Sequence, residues 1–264
     1  MGLAEAEMET PFRSTGGMIT DDHTHAELIH GHQGPGEVGL PVHHHHHPVA
    51  EDEPLEFELT FGLDSRYVSE GRDNLPDDSG ISWVSAVTHW HALGGSVFGE
   101  LLGIAAWEGG YDEVNVAAGY EWQWGPLELA LAGNYLWFPD DGEDDVEVGG
   151  AVEWVHESGL GVLAAAYWSF EAEGWFGEAA VFYECPLSES IALIPSVFLG
   201  VNQGYVEDEH DGFNHLGIQL EGIVQVSEQL ELVVYASYLE PLDREDGESL
   251  RDLFWGGGAA IWRF

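Results

Sequence analysis

Glutamates recur on one face of alternating segments in this chain, and that spacing carries more chemistry than any compact motif. Glu56, Glu58, Glu100, Glu121, Glu128, Glu147, Glu153, Glu178, Glu184, Glu221 and Glu231 all fall opposite an apolar face. Successive side chains of an extended strand point to opposite sides, so carboxylates at alternate positions line a single surface. If that surface encloses a water-filled space, a wall of one charge sign focuses potential and draws in cations. Basic residues are nearly absent from it, with Arg66 and Arg263 as candidates. The competing reading is that some of these glutamates stand in water at strand ends, or fill a plugged polar interior.

Histidine supplies a second chemistry. Nine of the 14 His precede residue 55: His23, His25, His30, His32 and the run His43, His44, His45, His46 and His47. Neutral imidazoles bind Zn²⁺, Cu²⁺ or Ni²⁺, and Asp21 and Asp22 add carboxylates beside His23 and His25. The spacing is too irregular for one closed tetrahedral site. The acidic runs Asp140–Asp145 and Glu207–Asp211 present oxygen ligands suited to Ca²⁺ or Mg²⁺. They are usually solvated, and here could also bridge lipopolysaccharide through divalent ions. No catalytic set is expected: His156 and Ser169 fall at opposite ends of their segments, and Asp208 with His210 is a lone loop pair.

The elements that must position these groups follow from the apolar pattern. Residues 1–54 are punctuated by proline and lack apolar periodicity, so they read as a flexible, disordered N-terminal extension. Residues 55–264 alternate with period two through twelve predicted strands: 55–67, 81–91, 97–107, 113–124, 127–138, 146–156, 160–170, 174–185, 191–202, 213–226, 229–239 and 253–264. Connections near 125–126, 157–159, 186–190 and 227–228 are short. Those near 68–80, 139–145, 203–212 and 240–252 are mostly longer and acidic. This rhythm is expected of an all-β, transmembrane antiparallel β-barrel with short periplasmic turns and long external loops. The eleven Trp divide the same way: Trp83, Trp107, Trp137, Trp168, Trp175 and Trp255 at outer ends, Trp90, Trp122, Trp124, Trp154 and Trp262 at inner ends. That division predicts two aromatic girdles.

Composition agrees. A formal net charge of −43 with no Lys makes nucleic acid an unsuitable partner. High-salt surroundings, which screen self-repulsion, are one cause of such acidity; recruitment of cations is the other. Cys185 is alone, so there is no intrachain disulfide. Met1–Thr20 lacks a basic start followed by an apolar run, so the chain is expected to be a mature or truncated form of an exported protein.

The segment Leu59-Thr-Phe-Gly-Leu-Asp-Ser-Arg-Tyr-Val-Ser-Glu-Gly71 resembles the first strand of the TorF-type porin family, with Glu70 in place of an expected Arg. The closing segment, ending in Trp262, Arg263 and Phe264, resembles the signal read by barrel-assembly machinery. The resemblance implies an outer-membrane barrel that acts as a channel, with no catalytic residues to carry over. Beside it, the residues lead us to expect passage of small cationic or neutral solutes, outer-membrane lipid and lipopolysaccharide as partners, and no required cofactor. A non-conducting barrel acting as a metal-binding or surface-interaction protein is the alternative, and an outer-membrane hydrolase a third.

Overall fold

A strand that is apolar on one face and polar on the other can cross a membrane only if its backbone groups are paired on both sides, which requires a closed sheet. The computed structural model describes residues 55–75, 79–205, 211–242 and 251–264 and shows that closure. The His-rich extension and Glu207 to His210 lie outside the described residues. The strands are β1 (Leu55–Asp64), β2 (Val68–Ser69), β3 (Arg72–Asp73), β4 (Ile81–Ala92), β5 (Gly95–Ala106), β6 (Asp112–Trp124), β7 (Leu127–Phe138), β8 (Glu143–Val155), β9 (Leu160–Ser169), β10 (Gly174–Tyr183), β11 (Cys185–Ser188), β12 (Ile191–Gln203), β13 (Asp211–Ser227), β14 (Leu230–Pro241) and β15 (Leu253–Arg263).

Each long strand pairs antiparallel with the next, and β11 continues β10 against β12, giving twelve staves. The last stave meets the first, with Glu58 opposite Arg263 and Asp64 opposite Gly257. The amide of Phe264 donates to the Phe57 carbonyl at 2.9 Å, and their rings lie 5.9 Å apart. No sheet edge is left to lipid.

Five short turns, at 93–94, 125–126, 156–159, 189–190 and 228–229, share one end of the barrel with Leu55 and Phe264; we call it the inner end. The outer end carries the connections 65–80, 107–111, 139–142, 170–173, 204–210 and 242–252. Leu63, Leu101, Leu131, Ile218, Val234 and Phe254 stand exposed on the outward face, an apolar belt with the alternation expected of a lipid-facing wall.

Three expectations change. The first strand stops at Asp64, because Tyr67 and Val68 turn into the interior instead of continuing the wall. The acidic run Glu143–Asp145 is ladder rather than loop, paired with Phe138 to Leu136. Trp83 and Trp255 leave the girdle and face inward, Trp255 being 1% exposed and Trp83 donating its indole N–H to Asp64 at 2.9 Å. Both indoles need a polar partner or full burial, and the interior provides these.

Candidate functional site

The contents of the interior differ between its outer and inner ends. At the outer end, β2 and β3 form a two-rung hairpin, with Glu70 and Gly71 at its tip, that folds into the bore. Val68 is fully buried and packs in one cluster with Tyr167 of β9 and Phe176 of β10. Twelve staves enclose more space than their own side chains fill, so an inserted segment has room.

The tip is fastened on two sides. The Tyr167 hydroxyl donates to Glu70 Oε1 at 2.8 Å, and Asn214 Nδ2 donates to the Glu70 carbonyl at 2.6 Å. Ser69 also donates to the Glu70 carboxylate. A bulge between β12 and β13 turns Asn214 and His215 inward together, which breaks strict alternation. The His215 ring occupies the space a Cβ on Gly200 would need, and stacks on Phe176 at 6.1 Å. Its Nε2 meets Glu178 Oε2 at 3.1 Å. Gly71 has φ +79°, and a Cβ there would lie 2.4 Å from His215 Nδ1, so only glycine fits.

Tyrosines bridge the hairpin to the wall. Tyr67 and Tyr111 both donate to Glu113, at 2.6 and 2.5 Å, and Tyr205 donates to Glu147 at 2.6 Å. Burial first, and then the adjoining carboxylates, hold these three hydroxyls above their ordinary range, so they remain donors. Arg66 and Arg251 both reach Asp73 Oδ2, at 2.6 and 3.2 Å, and secure the hairpin's base. Two adjoining cavities of about 440 and 280 Å³ open beside it and share Arg72, Leu136, Phe138, Glu143 and Tyr205.

Apolar side chains share the inward face with the acids: Phe98, Leu163, Phe182, Ile194, Phe198 and Ile223 are buried inside the wall, with Leu163 opposite Glu153 and Ile194 opposite Glu221. Period-two alternation alone predicts a carboxylate face and gives no sign of how many apolar side chains share it.

The inner zone gathers acids from eight of the twelve staves, with β4, β9, β12 and β15 contributing none of the named glutamates. All eleven inward glutamates named from sequence lie on the inward parity of their strands. Glu147 and Glu178 are towards the outer end; Glu56, Glu58, Glu128, Glu153, Glu184, Glu221 and Glu231 are towards the inner end, with Glu100 and Glu121 between. Ser85 donates to Glu100 at 2.6 Å. At the seam, Arg263 donates through Nε to Glu58 at 3.0 Å and lies 3.7 Å from Glu231, a lone cationic group among described residues of this zone apart from histidine. A cavity of about 540 Å³ at the inner mouth is lined by Glu56, His91, Ser96, Glu121, Gln123 and Glu128 among others. Arg66 is not in the lumen wall at all; it belongs to the hairpin's base.

Asp145, one of the suggested divalent-ion ligands, is used structurally. It accepts from the amides of Val146 and Glu171 and from the Ser169 hydroxyl, tying β8 to the turn after β9. Among the described residues no three His, Cys, Asp or Glu side chains converge as a ready ion site. His156 lies in an inner turn, 2.9 Å from Ser158, at the opposite end of the barrel from Ser169.

No family model and no curated protein matches the sequence. Solved structures match the fold. A KdgM porin aligns over 78% of this chain and 99% of its own, with a TM-score of 0.55 and 9% identity. A KdgM porin in complex with disordered oligogalacturonate covers 79% and 99%, at 0.51 and 8%. A NanC porin covers 78% and 98%, at 0.50 and 7%. The fold is that of an outer-membrane porin. Identities this low speak to the fold alone. The porin-like barrel, closed and belted with apolar residues, belongs in a bacterial outer membrane.

Proposed function

We propose that this porin-like barrel is a channel for passive passage of small cationic or neutral solutes across the outer membrane. The observation that carries the reading is the inward placement of glutamates on successive staves around the inner zone, with Arg263 already engaged by two of them. Charge of one sign on a low-dielectric wall raises the local concentration of counter-ions and excludes co-ions. A KdgM porin is found with oligogalacturonate, a polyanion; the interior here opposes such a solute and favours the opposite charge. The TorF-type assignment rests on the Tyr67–Gly71 motif and the closing strand. Lipid, lipopolysaccharide and barrel-assembly machinery are the partners this reading implies. Metal uptake by the extension and divalent bridging by acidic loops are further parts of it.

A second reading is favoured by one observation: Val68, Phe98, Phe182 and Phe198 are buried inside the wall, as in a filled barrel. In that case the protein is a non-conducting, metal-binding or surface-interaction barrel. Reconstitution of the full chain in planar bilayers separates the two. Stepwise current in KCl supports the channel; a silent bilayer holding correctly inserted protein supports the filled barrel.

A further inference from the structure

The inner mouth holds an arrangement that the acidic ring does not require. His89 and His91 lie two residues apart on the inward face of β4, and each meets a carboxylate on another strand. His91 Nε2 stands 3.0 Å from Glu56 Oε1, and His89 Nδ1 stands 3.6 Å from Glu121 Oε2. The ladder places His91 opposite Ser96 and Ser96 opposite Glu121, so three polar side chains follow one another across β4, β5 and β6. His91, Ser96, Glu121 and Glu56 all line the 540 Å³ cavity. Ser96 is 7% exposed, and its hydroxyl makes no hydrogen bond within the protein. His91 and Glu56 keep about a third of their side-chain surface exposed (35% and 32%), so ions entering from the inner end reach them.

We infer that these His–Glu pairs form a transit site for divalent first-row transition metals such as Zn²⁺, Ni²⁺ or Co²⁺, an inference that rests on the channel reading and names its solute class. Imidazole nitrogen selects these ions over Mg²⁺ and Ca²⁺, which prefer oxygen alone. Two donors about 2.1 Å from one tetrahedral ion stand about 3.4 Å from each other, so the His91 and Glu56 atoms, now at hydrogen-bond distance, need to part by only a few tenths of an ångström, which their partly exposed side chains allow. The ion binds to one side of the N–O line, and the proton that holds the pair together is released to water. No third donor converges on either pair among the described residues, so water completes the shell. Two protein donors bind weakly, and passage needs that: an ion must be held enough to enter and loosely enough to leave.

The test uses the full chain in planar bilayers, with the nine histidines of residues 1–54 replaced by Gln so that only the barrel reports. K⁺ current is recorded as Zn²⁺ is added to each side, with Mg²⁺ as the control for charge screening. Zn²⁺ is expected to reduce the current at concentrations at least about tenfold below those of Mg²⁺. His91→Asn and Glu56→Gln should each raise the half-blocking Zn²⁺ concentration by no less than the roughly tenfold that loss of an outer-shell partner costs, each read against that variant's own current. Equal Zn²⁺ sensitivity in parent and variants overturns the site, as does Mg²⁺ acting as strongly as Zn²⁺. If no protein passes K⁺, the channel reading fails, and the site is judged separately from the visible absorption of Co²⁺ added to the same proteins in detergent. Bands that weaken in His91→Asn uphold the metal site; identical spectra in parent and variant overturn it.

Discussion

Tyr167 on β9 donates its hydroxyl to Glu70 at the hairpin tip across 2.8 Å, joining residues 97 apart in the chain. This bond fixes the inserted hairpin against the far wall. The neighbours Arg72, Ser69 and His215 surround the same carboxylate. At its outer end the interior is therefore occupied by a segment fastened by a few polar contacts and by the burial of Val68.

Glu70 is where pH acts on that fastening. Burial, the largest influence, raises its carboxyl above the ordinary 4.5, against the lowering effects of Arg72, Ser69, Tyr167 and His215. A carboxyl whose pKa rises on docking docks best when protonated. Its contribution is complete below the undocked value and is lost as pH rises through the docked value. Single-channel records from about pH 4.5 upwards should show more frequent opening as pH rises, and Glu70→Gln should flatten the trend. An unchanged profile in Glu70→Gln would assign the pH response to another group.

Gly71 gives a steric counterpart. Gly71→Ala places a methyl 2.4 Å from the His215 ring and strains a φ of +79°, so the hairpin should leave its seat while the closed wall stays folded. Conductance should increase with little change in the barrel's thermal unfolding. Tyr167→Phe should act in the same direction but less, by about 1–3 kcal/mol for a buried acceptor left short of a donor. Lower conductance in Gly71→Ala would mean that the hairpin does not restrict the bore.

Arg263 is expected to serve stability at the seam. It bridges Glu58 on β1 and Glu231 on β14 from the closing strand between them. Arg263→Gln leaves two carboxylates without their shared cation, and Glu231 is buried. The urea midpoint should fall by the equivalent of about 1–3 kcal/mol, discounted for the partial exposure of Glu58. The same variant should be more cation-preferring, having lost an inner-zone positive charge. A midpoint equal to the parent's would show that the pair contributes nothing to closure.

Orientation is tested by labelling. With Cys185 replaced by Ser, a cysteine at Asp141 in the 139–142 connection should react with a membrane-impermeant maleimide on intact cells, while one at Glu189 in the 189–190 turn should not. The reverse pattern would invert the barrel in the membrane.

Much of this architecture is legible in the sequence because alternation is a local signal. Glu121 between Tyr120 and Trp122 is already assigned to a face by its neighbours, and the ladder from β6 to β7 follows. Long-range insertion is not local. Tyr67 reads as the end of a strand and Val68 and Ser69 as the start of a loop, since nothing in those residues tells that the chain turns inward to meet Tyr167 and Asn214. The bulge at Asn214 and His215 is hidden for the same reason: two consecutive inward residues have no cue in their types. Trp83 and Trp255 were legible but overridden. Parity puts Trp255 opposite Phe254 and Trp262, hence inside, whereas the preference of Trp for interfaces pointed outside. His89 and His91 share the inward parity of β4, a signal eclipsed by the denser histidines before residue 55.

The most direct measurement of the central claim is the reversal potential of the full chain in a KCl gradient across a planar bilayer. The inward carboxylates predict preference for K⁺ over Cl⁻, and replacing Glu121, Glu153 and Glu221 together by Gln should move the reversal potential towards zero. Preference for Cl⁻, or a potential indifferent to the triple replacement, would contradict the account.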